Sequence, residues 1–203
     1  MYFNKNFVFF YILTILGIGG LIFLPNQAKA AVAGDVTINE IMWTGSTATD
    51  TDEWIELRNA SSTAIDLANW EIQNAVHGAT TTLTITSGFC STTTIPASGY
   101  FLISNYSATS SSISNSVTAQ CATDTINLID SYLLNGALTL RQGATTIDQT
   151  PASSTVAWTA GSTGSATSSM ARNYTPGSGT TTTNWHSSII SNNKLYQLIH
   201  RAA

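Results

Sequence analysis

Apolar and polar residues alternate along three short phrases near the start of the chain: Val36-Thr-Ile-Asn-Glu-Ile41, Glu53-Trp-Ile-Glu-Leu-Arg-Asn59 and Ile65-Asp-Leu-Ala-Asn-Trp70. Strand side chains point alternately to opposite faces, so each phrase predicts a half-buried strand. Further strands are predicted over Thr82–Ile85, Tyr100–Ser104, Thr125–Ile129, Ala137–Arg141 and Thr145–Asp148, with turn residues between them. Two connections read as tight turns. Gln142-Gly143 separates two strand phrases, where glycine supplies the positive φ of a short hairpin, and Pro96-Ala-Ser-Gly99 feeds into the apolar Tyr100–Ser104. After Ala30 no stretch shows a sustained 3.6-residue apolar period, and only Lys194–Arg201 could make two helical turns. The expected class is all-β, built of short strands as in a sandwich. From Thr159 to Ser169 the composition shifts to Gly, Ser, Thr and Ala, which predicts a long loop; a final strand follows at Met170-Ala171-Arg172, then a linker-like tail from Pro176.

In order and spacing, Asn39-Glu40-Ile41, then Glu53-Trp-Ile-Glu-Leu-x-Asn59, then Asp66-Leu67-x-x-Trp70, resemble the start of the lamin tail domain. The proline and glycine turn before an apolar strand, and the hairpin ending in Asp148, fit the same pattern. The likeness covers about Val36 to Arg172, with little to identify the stretch from Ala75 to Cys121. It implies an immunoglobulin-like β-sandwich of the kind found in many bacterial exported proteins, known mainly as an interaction module attached to other domains. It also implies structural roles for Asn39, Glu40, Glu53, Trp54, Glu56, Leu57, Asn59, Asp66, Leu67, Trp70, Gly99, Asp148 and Arg172. Ser169-Met-Ala-Arg172 is similar to the family's Ser-Met-Glu-Arg phrase but carries Ala171 at the acidic position, so an ion pair from that position is not expected here.

The first thirty residues change the picture of where the domain works. Lys5, an apolar stretch from Phe7 to Leu24 and Ala28-Lys-Ala30 read as an export signal with its cleavage site. The competing reading is an uncleaved membrane anchor, since the stretch spans 18 residues and about 17–25 suffice to cross a bilayer. The expected organisation is residues 1–30 as signal, 31–175 as the sandwich and 176–203 as linker and tail. Removing the signal leaves five basic side chains against eleven acidic ones, a formal charge of −6. That balance offers no basic stripe to a phosphate backbone and argues against nucleic acid. Cys90 and Cys121, the two cysteines, both fall in the exported part, where an oxidising compartment favours a disulfide; two buried thiols are the alternative.

Candidate chemistry is sparse. Eight of the eleven carboxylates lie between Asp35 and Glu71, with Glu40, Glu53 and Glu56 on two strands expected to pair. Acid–base work needs two carboxyls across a cleft, and parity sets Glu53 and Glu56 on opposite faces of a strand, one of them expected to be solvated. Asp50-Thr-Asp52-Glu53 offers oxygen ligands to calcium, without the spacing of an EF-hand, and reads by default as a solvated acidic turn. Of five tryptophans, Trp54 and Trp70 are expected in the core, while Trp43 and Trp158 border loops and are the surface candidates for stacking on sugar or peptide. His77, His186 and His200 are isolated, and no nucleophile motif, zinc spacing or phosphate loop accompanies them. The expectation is a non-enzymatic module without a cofactor that binds protein or glycan at the cell surface or outside the cell, touching membrane only through residues 7–24. A structural spacer is the alternative, and an accessory of a secreted hydrolase the remoter one.

Overall fold

The computed structural model describes residues 31–46, 49–76, 81–107, 110, 118–126, 128, 136–153, 158–163 and 167–188. The segment expected as a signal, residues 1–30, with His77, His200 and the helix candidate Lys194–Arg201, lies outside these. Twelve strands are found among the described residues: β1 (Val36–Met42), β2 (Trp54–Asn59), β3 (Ile65–Asp66), β4 (Glu71–Gln73), β5 (Thr82–Thr84), β6 (Thr94–Ile95), β7 (Tyr100–Ser104), β8 (Cys121–Ala122), β9 (Thr139–Gln142), β10 (Thr145–Gln149), β11 (Met170–Arg172) and β12 (Trp185–Ser187). One sheet runs β12-β11-β1-β2-β7-β8, a second β10-β9-β4-β5, and a small ribbon pairs β3 with β6. Pairing is antiparallel except between β7 and β8.

The core lies where the two large sheets face each other. Ile38, Ile41, Ile55, Leu57, Phe101, Ile103 and Met170 of the six-stranded sheet join Ile72, Leu83, Leu140 and Ile147 of the other in one buried cluster. Ile55 and Leu57 of β2 and Phe101 and Ile103 of β7 alternate with residues of the other face, as a pleated surface packed on one side requires. The all-β sandwich expected from the alternation is therefore the architecture observed.

Three expectations need correction. Ile65–Trp70 is not one strand: after Asp66 the chain turns, because Asp66 Oδ1 accepts the Ala68 N–H at 3.0 Å and Asn69 adopts φ 63°. A side chain that bonds its own backbone two residues on competes with ladder pairing, and the turn hands the chain from the β3–β6 ribbon to β4 in the second sheet. Of Thr125–Ile129, the described Thr125, Ile126 and Leu128 lie in no strand: Ile126 makes a bridge to Val76, and its N–H goes to Asn105 Oδ1 at 3.1 Å. Finally, part of the segment expected as linker belongs to the sheet: Trp185–Ser187 pairs with β11, and Trp185 is buried.

The turns behave as their residues dictate. Gly143 takes φ 56° between Gln142 and Thr145 of the β9–β10 hairpin. In the Pro96–Gly99 turn the positive φ falls on Ser98, at 52°, while Gly99 is needed for closeness, since a Cβ there would come within 3.0 Å of the Pro96 ring.

Cys90 and Cys121 are bonded and both buried, tying the loop before β6 to β8 at the sheet edge. Closing a loop with a sequence separation of 31 removes chain entropy worth about 3–4 kcal/mol in the unfolded state. Replacing both cysteines with serine should lower the unfolding free energy by about that amount in urea titrations, and an unchanged midpoint would refute the assignment of this staple.

Candidate functional site

Because β2 buries Ile55 and Leu57 in the core, Trp54, Glu56 and Arg58 project to the other side of the six-stranded sheet. There Trp54 packs with Leu102, Met42 and Ala119 in a small separate cluster. In β1 the register shifts between Ile38 and Glu40, with Asn39 as the extra residue of a bulge. A bulge flips the alternation that follows it, so Ile38 and Ile41 both enter the core while Glu40 lands on the outer face opposite Glu56.

Two carboxyl groups therefore meet in a nearly water-free place: Glu40 and Glu56 are 6% and 2% exposed. Asn39 Nδ2 donates to Glu56 Oε1 at 2.8 Å. Ser169, which precedes β11, has its hydroxyl on Glu40 Oε1 and also 2.7 Å from Ser188 Oγ. Burial, reinforced by the Glu56 charge and only partly offset by the Ser169 hydrogen bond, pushes the Glu40 pKa up to about 8. At neutral pH Glu40 is then mostly protonated. The Ser169 hydroxyl donates to Glu40, and its oxygen also lies within hydrogen-bond reach of Ser188 Oγ, which accepts the Ser169 backbone N–H at 3.2 Å.

Beside this pair a cavity of about 120 Å³ opens on the outer face. Its lining includes Asn39, Glu40, Arg58, Tyr100, Ala171, Tyr174, His186 and Ser188. Ladder register explains the gathering, since Arg58 stands opposite Tyr100, Glu40 opposite Ala171, and Ala171 opposite His186. Tyr174 is 71% exposed, with the Arg58 guanidinium 5.4 Å from its ring centroid and Arg58 Nη1 bonded to its carbonyl at 3.1 Å. Burial raises the Tyr100 pKa, which keeps its hydroxyl protonated. Among the described residues, Glu56 does not line this cavity, so no two carboxyls face a shared opening of the kind that hydrolysis of a glycosidic bond uses.

One knot holds the floor of the site. Arg172 Nη1 bonds Asp148 Oδ2 at 2.9 Å and the Ile38 carbonyl at 3.2 Å, while Nη2 reaches the Gly177 carbonyl at 2.7 Å. Asp148 Oδ2 also accepts the Ile38 N–H at 2.8 Å, next to the bulge. The Trp185 ring covers the guanidinium at 4.8 Å and donates Nε1–H to the Gly179 carbonyl at 2.7 Å.

The residues singled out by sequence are scattered by the fold. Trp43 and Trp158 are not surface platforms: both are buried, their indole N–H groups bonded to the carbonyls of Ala160 at 2.9 Å and Leu128 at 3.2 Å. The face of β2 expected to be solvated is covered, and Glu53 as well as Glu56 is buried. Glu53 Oε1 accepts the Leu128 N–H at 2.9 Å. Asp50 is exposed while Asp52 and Glu53 are buried, and no three His, Cys, Asp or Glu groups converge for a metal among the described residues. Asn59 is a buried brace, donating to the carbonyls of Thr63 and Pro96 and accepting from Ser61. Asp66 holds the Ala68 N–H and Thr93 Oγ1, while Leu67 and Trp70 lie in the core. Arg58, Tyr100, Tyr174 and Ser188 were not visible as site residues, and His186 read as isolated. Parity with Glu56 on β2 is the one sequence signal that pointed toward Arg58.

A family model for the Lamin Tail Domain matches residues 29–196. Searches of curated proteins and of solved structures find no match.

Two outcomes follow from this geometry. From pH 4.5 up to about 8 the folded chain holds the Glu40 proton that the unfolded chain releases, so the stability Glu40 contributes is full below 4.5 and lost as pH rises toward 8. Melting curves should show Glu40→Gln matching wild type near pH 4.5 and exceeding it at pH 8 by roughly 4 kcal/mol; parallel pH profiles would sink the assignment. Arg172→Leu strands the Asp148 carboxylate and should cost about 3–5 kcal/mol in urea unfolding, part of which the added Asp148→Leu change restores.

Proposed function

The chain belongs to the lamin tail domain family, and on that footing we propose that it is an exported, non-catalytic interaction module. It binds protein or glycan at the cell surface or outside the cell. The observation that carries this reading is the outer-face cavity with Tyr174 exposed at its rim and Arg58, Tyr100 and His186 around it. A concave patch with an exposed aromatic and a few convergent polar groups is how a binding surface differs from an evenly polar one. A pure spacer would need no such patch. Export is supported by the apolar run from Phe7 to Leu24 ahead of Ala28-Lys-Ala30, and by a pair of cysteines within bonding distance.

Two measurements test the two parts of the reading. Residues 1–46 placed ahead of an alkaline phosphatase, an enzyme active only outside the cytoplasm, should give active enzyme whose amino terminus begins at Ala31; an inactive fusion ends the export reading. The disulfide-bonded full chain should bind at least one ligand saturably from a panel of cell-envelope polysaccharides and exported proteins. Failure of every polysaccharide and every protein to bind would overturn the module itself.

A further inference from the structure

The outer-face cavity has a sign. Arg58, Arg141 and Arg172 are the basic side chains among the described residues, which also hold every carboxyl side chain of the sequence but Asp130. Two of those three arginines line the cavity, and of all the carboxyls only Glu40 does. Burial keeps Glu40 largely un-ionised at neutral pH, so it sets little charge against an incoming group. Glu56, two residues before Arg58 on β2, lies outside the lining and has its Oε1 on the Asn39 amide.

The two arginines differ in what they have left to give. Arg172 is committed, because Asp148 answers its charge and both Nη atoms are bonded. Among the described residues no carboxylate forms an ion pair with Arg58, and of its donors only Nη1 has a hydrogen bond, to the Tyr174 carbonyl at 3.1 Å. That leaves the Nε–Nη2 edge, two parallel N–H groups at the spacing of the two oxygens of a carboxylate. One uncommitted guanidinium suits a planar monoanion better than a doubly charged phosphate.

The surroundings say what carries the carboxylate. The cavity lies on the face of the sheet across β7, β2, β1, β11 and β12, where strand backbone is spent on the ladders. A peptide laid across it would find no strand edge for its own N–H and C=O groups. Side-chain partners for hydroxyls are present. His186 Nδ1 meets Asn173 Oδ1 at 3.0 Å, which makes Nδ1 the donor and leaves Nε2 of the neutral ring to accept. Asn39 gives one amide N–H to Glu56 and has a second N–H and an oxygen on the same group. The space of about 120 Å³, roughly four times the share of one water in the liquid, has room for a carboxylate and the carbon atoms beside it.

We infer that this cavity is a subsite for one uronic acid unit of an acidic polysaccharide, its carboxylate paired side-on with Arg58 Nε and Nη2 and its neighbouring hydroxyls bonded to His186 Nε2 and Asn39. The inference rests on the interaction-module reading and deepens it to one ligand class. Because the chain carries a formal charge of −4, long-range attraction does not help, and the fork of Arg58 has to supply the selectivity; a lysine there is no substitute.

Calorimetric titration of the full chain, with its disulfide formed, tests the assignment. The probes are hexamers of galacturonate, mannuronate and hyaluronan, the methyl-esterified galacturonate and mannuronate hexamers and the carboxyl-reduced hyaluronan hexamer as their neutral counterparts, and hexaglutamate as an acidic peptide. At least one uronate oligomer should bind saturably, its neutral counterpart at least about ten-fold more weakly. Arg58→Gln and Arg58→Lys should each weaken it by a similar factor, while Arg141→Gln, the same loss of charge in the other sheet, leaves it unchanged. Should the Arg58 variants fold poorly, wild type suffices: adding the uronate oligomer should shift the Arg58 side-chain Nε–H signal in nitrogen-15 spectra and not that of Arg141. Uronate binding that neutralising the carboxyl leaves intact, that is indifferent to Arg58, or that is weaker than binding of hexaglutamate overturns the inference. So does a chain that binds neutral glycans or a protein and no uronate, a result that leaves the module reading standing.

Discussion

The buried pair of Arg172 and Asp148 is the constraint on which the rest of this structure depends. Asp148 lies one residue before the end of β10 in one sheet and Arg172 ends β11 in the other, so their 2.9 Å contact joins the two layers of the sandwich at one edge. Ions so deeply buried are costly unless every oxygen and N–H finds a partner. The fold supplies most of the partners from backbone, namely the N–H and carbonyl of Ile38 and the carbonyl of Gly177, and leaves Arg172 Nε buried without one. That requirement draws in the segment after β11, which wraps back so that Trp185 can cover the guanidinium. Gly179 lies so close to Gln149, Asp148 and Arg172 that a side chain there would collide with all three.

The same knot sets the geometry of the outer face. By holding both backbone groups of Ile38, it fixes the residue at which β1 departs from regular register. The Asn39 bulge follows, and with it the placement of Glu40 against Glu56. Two acids brought together in this way lower stability as they ionise, and the sheet manages the cost by keeping one protonated and giving the other the Asn39 amide. Such a pair is retained at a cost that an apolar pair would avoid, which is the pattern expected where stability is traded for a surface with specific hydrogen-bonding properties.

Much of the architecture was legible along the chain because strand alternation has a period of two and needs no knowledge of partners. β1, β2, β7 and the β9–β10 hairpin come out of apolar spacing and turn residues alone, as does the all-β class. Where local chemistry competes with spacing, the alternation misleads. Asp66 and Asn69 bend a phrase that alternates cleanly, and Ile126 gives its N–H to Asn105 rather than to a strand ladder. Trp43 and Trp158 border loops in sequence yet are buried, since burial of a loop tryptophan depends on whether a carbonyl such as that of Ala160 or Leu128 comes within reach of its N–H.

By itself, then, the sequence determined the strand content, the two-layer class, the turns at Gly143 and Pro96–Gly99, and the presence of two cysteines available to bond. Tertiary structure alone decided the site. Arg58, Tyr100, Ala171 and His186 come from four different strands and become neighbours only through ladder register across β7, β2, β1, β11 and β12. Register is a property of pairs of strands, set by the bulge at Asn39 and by the Arg172 knot. A pattern read along one strand carries each residue's face but not which residues will stand opposite it.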